Sequence, residues 1–172
     1  HFFISSSKHF LPALLDTFAE MRRRERWQSW LALCQSWRTK YAEPIQNDKY
    51  AYIDIYNFVS ILNQETRWDE NIVLGSSGSC ANTFCQQWQV GAGQKIVFEP
   101  AIGAMGLGLP EAIAVALATK PERVILINGD GGFVMNMSEL TLVRRYNLPI
   151  KMFVQNNGGY GSIKHMQSRN FG

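Results

Sequence analysis

The sequence predicts an α/β domain, a three-layer α/β/α sandwich around a mainly parallel central sheet. Three observations lead there. First, four short runs rich in Val and Ile (Asn71–Leu74, Lys95–Phe98, Arg123–Asn128 and Ile150–Gln155) alternate with helical stretches. Runs this short and this apolar are strands buried on both faces, the habit of parallel sheets. Second, glycines gather just after each run: Gly75 and Gly78, then Gly103, Gly106 and Gly108, then Gly129, Gly131 and Gly132, then Gly158, Gly159 and Gly161. Parallel sheets bind ligands at that edge, where loops run into helix N-termini. Third, 46% of the 172 residues are hydrophobic and 18% charged, enough apolar side chain for one core of ordinary size.

Along the chain, Ser6 or Ser7 is placed to cap a helix carrying Phe10, Leu11, Leu14, Leu15 and Phe18, with Pro12 in its first turns. The run Arg22-Arg23-Arg24-Glu25-Arg26 reads as a solvated linker or helix face. Trp27, Trp30, Leu31, Cys34, Trp37 and Tyr41 recur at three- and four-residue steps, one packing stripe of a second helix that Pro44 ends. Asp54 is a cap for a third helix, with Ile55, Phe58, Val59 and Leu62 facing the sheet. The helices between the strands fall at about 80–89, 107–119 and 137–146. The expected division is 1–45, a helical leader, and 46–172, the α/β domain.

Several classes are excluded. A net charge of +3 gives no case for nucleic acid. No apolar run approaches the length of a membrane span, so no membrane partner is expected. The start has neither a basic segment nor a long apolar one, hence no signal peptide, and without an initiator Met the chain reads as a fragment or an excised domain. Cys34, Cys80 and Cys85 form no C-x-x-C pair, so neither a disulfide framework nor a zinc site is expected. Reduced, mostly buried thiols suit a cytoplasmic protein. Gly103-Ala-Met-Gly-Leu-Gly has the wrong spacing for a dinucleotide fingerprint, and no Gly-Lys-Ser/Thr P-loop ending occurs.

The chemistry centres on Asn128-Gly-Asp-Gly-Gly132, which follows a strand and precedes a helix expected near Met137. A turn-forming Asp is one reading of Asp130. The other is a hard-metal ligand beside a phosphate, with glycine N–H groups near anionic oxygens. Asn157 lies 27 positions on, one strand–helix–strand unit, so both side chains emerge on one edge from adjacent loops. A carboxylate, an amide oxygen and the Gly159 carbonyl are suitable ligands for Mg²⁺.

The Gly-Asp-Gly, about thirty residues, then Asn-Asn resembles the diphosphate-binding signature of thiamine-diphosphate enzymes. The likeness extends back through Gly103-Ala-Met-Gly-Leu-Gly-Leu-Pro110. Residues 50–172 are similar to the C-terminal cofactor-binding domain of the acetolactate synthase, pyruvate decarboxylase and benzoylformate decarboxylase group. Residues 1–45 would then be the end of the central domain and its linker. The resemblance implies a thiamine-diphosphate-binding fold, thiamine diphosphate and Mg²⁺ as cofactors, and decarboxylation or carboligation of a 2-keto acid substrate. It implies Asp130, Asn157 and the Gly159 carbonyl as metal ligands, with Gly129, Gly131 and Gly132 around the diphosphate. Ser77, Gly78, Ser79 and Cys80 match an earlier loop on the same group, where acetolactate synthases carry Gln and His at the positions of Ser79 and Cys80. Met105 corresponds to the apolar residue under the bent cofactor, with the Gly103 carbonyl and Met105 N–H on the pyrimidine.

Tyr160 and Ile163 are the implied substrate-side residues, and Asn-Asn-Gly-x-Tyr-Gly is nearer to benzoylformate decarboxylases. His165 reads as a solvated helix residue. No glutamate of this chain takes the catalytic, activating role, which the resemblance assigns to a pyrimidine-binding domain of another subunit. Glu111 and Glu139 read as first-turn charges favoured by the helix dipole. A homodimer or homotetramer is implied for the full-length enzyme, and a chain truncated at its C-terminal end is not expected to turn over alone. The rival readings are a benzoylformate-decarboxylase-like lyase and a non-catalytic cofactor-binding or assembly domain.

Overall fold

A computed structural model describes residues 6–20, 26–41, 52–75 and 77–172. The run from Arg22 to Glu25 and the helix-ending Pro44 lie outside the described residues. The chain forms two compact units, 1–45 and 46–172.

The first unit holds two helices. Helix α1 spans Ser7–Glu20 with Pro12 inside it, past the four N–H groups that a helix start leaves unpaired. Helix α2 spans Arg26–Lys40. Its aromatic stripe is present, with Trp30 and Trp37 edge-on at 5.8 Å. The expected packing face is not a buried one, however: Trp27, Trp30, Leu31, Trp37 and Tyr41 are all exposed.

The second unit begins with α3, Ile55–Glu65, where Asp54 Oδ1 accepts from the N–H groups of Tyr56 and Asn57 at 2.9 and 3.0 Å. Then follow β1 (Asn71–Leu74), α4 (Gly78–Gln87), β2 (Lys95–Val97), α5 (Gly108–Thr119), β3 (Val124–Gly129), α6 (Asp130–Met135), a 3-10 turn (Met137–Glu139), α7 (Leu140–Arg145), β4 (Ile150–Gln155) and α8 (Gly161–Phe171). The four strands form one sheet in the order β2-β1-β3-β4, every pair parallel.

Strand alternation sorts the core into two layers. Ile72, Leu74, Ile125 and Ile127 meet Val59 and Leu62 of α3 and Phe84 of α4 on one face. Val73, Val124 and Leu126 meet Leu109, Ala112, Ile113 and Ala116 of α5 on the other. Those four α5 positions follow steps of three and four residues, so one helix stripe covers one sheet face. Each fully buried aliphatic side chain contributes about 1.5–3 kcal/mol. This is an α/β fold with a parallel central sheet flanked by helices.

The strand starts are tied by charge. The Glu70 carboxylate, buried ahead of β1, accepts from Arg123 Nε at 2.5 Å and from the Arg67 N–H at 2.9 Å. Arg67 also pairs with Asp69 and Glu122. The bond to Glu70 holds the Arg123 guanidinium above its ordinary pKa, although burial works the other way. Of the thiols expected to be mostly buried, Cys80 is buried, Cys34 partly so, and Cys85 exposed on the outer side of α4. Among the described residues no helix is long and apolar enough to cross a membrane.

Candidate functional site

A cleft of about 160 Å³ opens beyond the C-terminal ends of β1, β3 and β4. Its walls are the first turn of α4, Met105, the β3–α6 junction, and the segment from Gln155 into α8. Residues expected from the sequence to share one edge therefore do so because β3 and β4 are neighbours, with Gly129 opposite Gln155.

Asp130 is the hinge of the site. Its Oδ1 accepts from the Gly131 N–H at 2.7 Å, and its Oδ2 from the N–H groups of Asn157 at 3.1 Å and Gly159 at 2.7 Å. The carboxylate thus clamps the loop after β4 onto the end of β3. An ionised carboxylate offers about four acceptor positions, so three N–H groups leave about one on Oδ1. The expected Gly131 N–H for a diphosphate is instead spent on Asp130. Gly159 reaches Asp130 through its N–H, whereas the expectation concerned its carbonyl. The helix expected near Met137 is present as the 3-10 turn Met137–Glu139 followed by α7, and a further short helix, α6, precedes it from Asp130, so Gly131 and Gly132 lie in the first turn of α6.

Space beside Gly131 is tight. A Cβ on Gly131 would lie 3.0 Å from the Tyr160 ring and 3.3 Å from Met105 Cε, so these two side chains close on the start of α6 from both sides. Tyr160 itself holds a left-handed φ of 51° at the start of α8. Asn128 is buried, and its side chain occupies a cage of three glycines. A Cβ would come within 2.1 Å of its Oδ1 at Gly75, 2.9 Å of its Nδ2 at Gly108 and 3.0 Å of its Oδ1 at Gly132. Part of the glycine clustering at this edge therefore makes room for one carboxamide.

Ser77 to Cys80, expected as a loop, form the N-cap and first turn of α4, and the Ser77 side chain makes no cap hydrogen bond. The Cys80 thiol turns inward, donating toward the Ser77 carbonyl at 3.2 Å and the Gly75 carbonyl at 3.7 Å. Burial pushes this thiol above its ordinary pKa, so it is a structural group and not a nucleophile.

Gly103 stands apart from the cleft walls. It belongs to a turn closed by Glu99, whose carboxylate accepts from the N–H groups of Ala101, Ile102 and Gly103 at 2.8 to 3.0 Å. The Ile102 N–H above all holds Glu99 below the usual carboxylate range. Glu111, expected to be a dipole-favoured charge, has instead a buried Oε2 with no hydrogen-bond partner. Burial, and then the nearby charge of Glu99, raise its pKa. Glu139 is, as expected, an acidic residue in a first turn, that of the 3-10 helix directly ahead of α7. His165 lies on an exposed part of α8.

The cleft thus unites Ser77, Gly78, Ser79 and Cys80 with Met105, Gly129 to Gly132, Asn157 and Tyr160, and Ile163 also lines it. Gly103 and Gly159 are not among its walls. Asn128, Gln155 and Ser162 are walls that sequence reasoning did not assign. The strand pattern gave no signal for Gln155, since Lys151 is a second polar side chain in the same run.

The residues present fit a divalent cation with a diphosphate. The donor set is hard oxygen: a carboxylate with acceptor capacity left and a carboxamide beside it. Among the described residues no group of three or more His, Cys, Asp or Glu converges, so ligand oxygens would have to complete the shell. Among the described residues, three of the four buried side-chain atoms without a hydrogen-bond partner (Asn128 Nδ2 and both polar atoms of Gln155) belong to walls of this cleft, which marks it as a place for a polar ligand.

A parallel α/β domain with a carboxylate, an Asn and glycines at one strand edge has the layout of the open-sheet proteins that place ligands beyond the C-terminal ends of their strands. Residues 76–172 match the family model described as thiamine pyrophosphate enzyme, C-terminal TPP binding domain, and the chain belongs to that family. It is related to acetolactate synthases and to decarboxylases. It is 30% identical over 169 residues to the acetolactate synthase large subunit of Cyanidium caldarium, covering 95% of this chain and 28% of that protein. It is 42% identical over 84 residues to acetolactate synthase 2, chloroplastic, of Zea mays, covering 49% of this chain and 12% of the relative. The chain therefore spans well under a third of these relatives. In fold it is similar to a thiamine diphosphate-dependent 4-hydroxybenzoylformate decarboxylase of Rhodococcus jostii RHA1, with a TM-score of 0.58 at 24% identity over 74% of this chain and 25% of that one.

Proposed function

We propose that this chain is the thiamine-diphosphate- and Mg²⁺-binding part of an acetolactate-synthase-like enzyme that acts on 2-keto acids by decarboxylation, carboligation or both. The observation that carries the reading is the Asp130 carboxylate, held at the end of β3 by the amides of Asn157 and Gly159 and facing the cleft. When bound, thiamine diphosphate supplies a nucleophilic carbon and an electron sink for breaking or making the bond beside a keto group. Asp130 and the Asn157 side chain would hold the ion, with Gly159 as the third ligand. Gly129, Gly132 and the first turn of α4 (Ser77, Gly78, Ser79 and Cys80) would hold the diphosphate. Met105, which reaches toward Gly131, would support the cofactor's bend, and Gly103 would serve its pyrimidine. Such positioning is worth a large part of the rate gain available to a bound cofactor.

In this reading the activating carboxylate comes from the pyrimidine-binding domain of another subunit, so that the complete enzyme is at least a dimer. Residues 1–45 would be the end of the preceding domain and its linker. Tyr160 and Ile163, both cleft walls, favour a second reading in which the substrate side is benzoylformate-decarboxylase-like.

Calorimetric titration of this chain with thiamine diphosphate and Mg²⁺, repeated for Asp130→Ala, tests the metal site. Loss of a charge-bearing ligand should weaken binding by at least about tenfold. Equal affinities of the two proteins would refute the assignment.

A further inference from the structure

Gln155 is the last residue of β4 and pairs in register with Gly129. Both Oε1 and Nε2 are buried with no hydrogen-bond partner. A carboxamide offers two donors and two acceptor sites, and burial without partners is unfavourable. Gln155 also lines the cleft, so a ligand can meet the need that the protein leaves open.

Alternation along β4 puts Gln155 on the same sheet face as Phe153, which packs toward α3 and α4. That directs it to the side of the cleft where the first turn of α4 ends. Helix α4 is 10 residues long, and the Ser77 side chain does not cap it. The N-terminal amides of that helix and the carboxamide donors of Gln155 both favour an anionic oxygen.

We propose that Gln155 is a further ligand-binding residue of this cleft: its Nε2 donates to an oxygen of the diphosphate, and its Oε1 accepts from a water bridging to the ion or the phosphate. The proposal rests on the cofactor reading above and adds to it a contact that the Gly-Asp-Gly and Asn-Asn signature does not contain. Two carboxamides with unpartnered atoms line the cleft. The one orphan atom of Asn128 sits in its glycine cage, whereas both ends of Gln155 are open.

The test is titration of this chain with Mg²⁺–thiamine diphosphate, Mg²⁺–pyrophosphate and unphosphorylated thiamine. The unaltered protein, Gln155→Leu and Gln155→Met are compared, and each is melted without ligand. Met keeps the unbranched length where Leu disturbs the strand. The expected result is about a tenfold loss of affinity for both phosphorylated probes, with no loss for thiamine and a melting temperature equal to or above that of the unaltered chain. Unchanged affinity for the phosphorylated probes, or a lowered melting temperature with unchanged affinity, would overturn the assignment and make Gln155 structural. Equal losses for thiamine and its diphosphate would also overturn it, by moving the contact to the ring end. No binding of Mg²⁺–thiamine diphosphate by the unaltered chain would overturn the cofactor reading together with this one.

Discussion

Glu111 and Asp130 show how differently two carboxylates can be treated within one domain. Asp130 receives three N–H groups, two of them from the next loop, so its charge is organised before any ligand arrives. Glu111 has a buried oxygen without a partner and sits near the charge of Glu99. Its carboxyl therefore ionises later in the folded chain than in the unfolded one. That contribution to stability is fully present below the ordinary carboxylate range and is lost as pH rises through the raised value. Replacing it by a neutral isostere should help only where it is ionised. Glu111→Gln is expected to raise the melting temperature at about pH 7 by up to ~3 °C, a figure reduced for partial exposure. The gain should vanish below about pH 4; thermal melts across that range check the sign.

At the scale of elements, capping and periodicity decide what could be read from sequence. Helix α3 was legible because Asp54 precedes apolar residues at helical steps, and its side chain does cap the helix. Asp54→Ala should cost about 1 kcal/mol, measured as a lower urea midpoint at unchanged slope. Strands β1, β3 and β4 were legible within a residue, since Val and Ile runs bounded by glycine have little other use. The short helix α6 was not, whereas the 3-10 turn and α7 after it match the helix expected at 137–146. Gly131 and Gly132 each disfavour helix by about 1 kcal/mol relative to Ala, so propensity reads that turn as loop. Gly131 is packed closely between Met105 and Tyr160. The first turn of α4 was taken for a loop for a similar reason: Gly78, with φ of 78°, opens it. Gln155 went unassigned because nothing local distinguishes a strand-ending amide from a solvated one.

For the whole molecule, the sheet and its two apolar layers lie in 46–172, and that unit contains every wall of the cleft. A chain limited to 46–172 is therefore expected to keep the Mg²⁺–thiamine diphosphate affinity of the longer one, as titration would measure. It should also self-associate less in light scattering, since it lacks the exposed tryptophans and leucines of α1 and α2. A large drop in affinity on truncation would mean that the first 45 residues support the site. The leader's helices were legible from their stripes, whereas what covers those stripes was not, because periodicity reports that a face is apolar and says nothing of its neighbour. One consequence concerns the Glu70–Arg123 pair, which joins the strand starts at the end of the sheet away from the glycine loops. Anchorage and cleft thus occupy opposite poles, so substitutions in the glycine loops can reshape the cleft while the far pole keeps the strands in step.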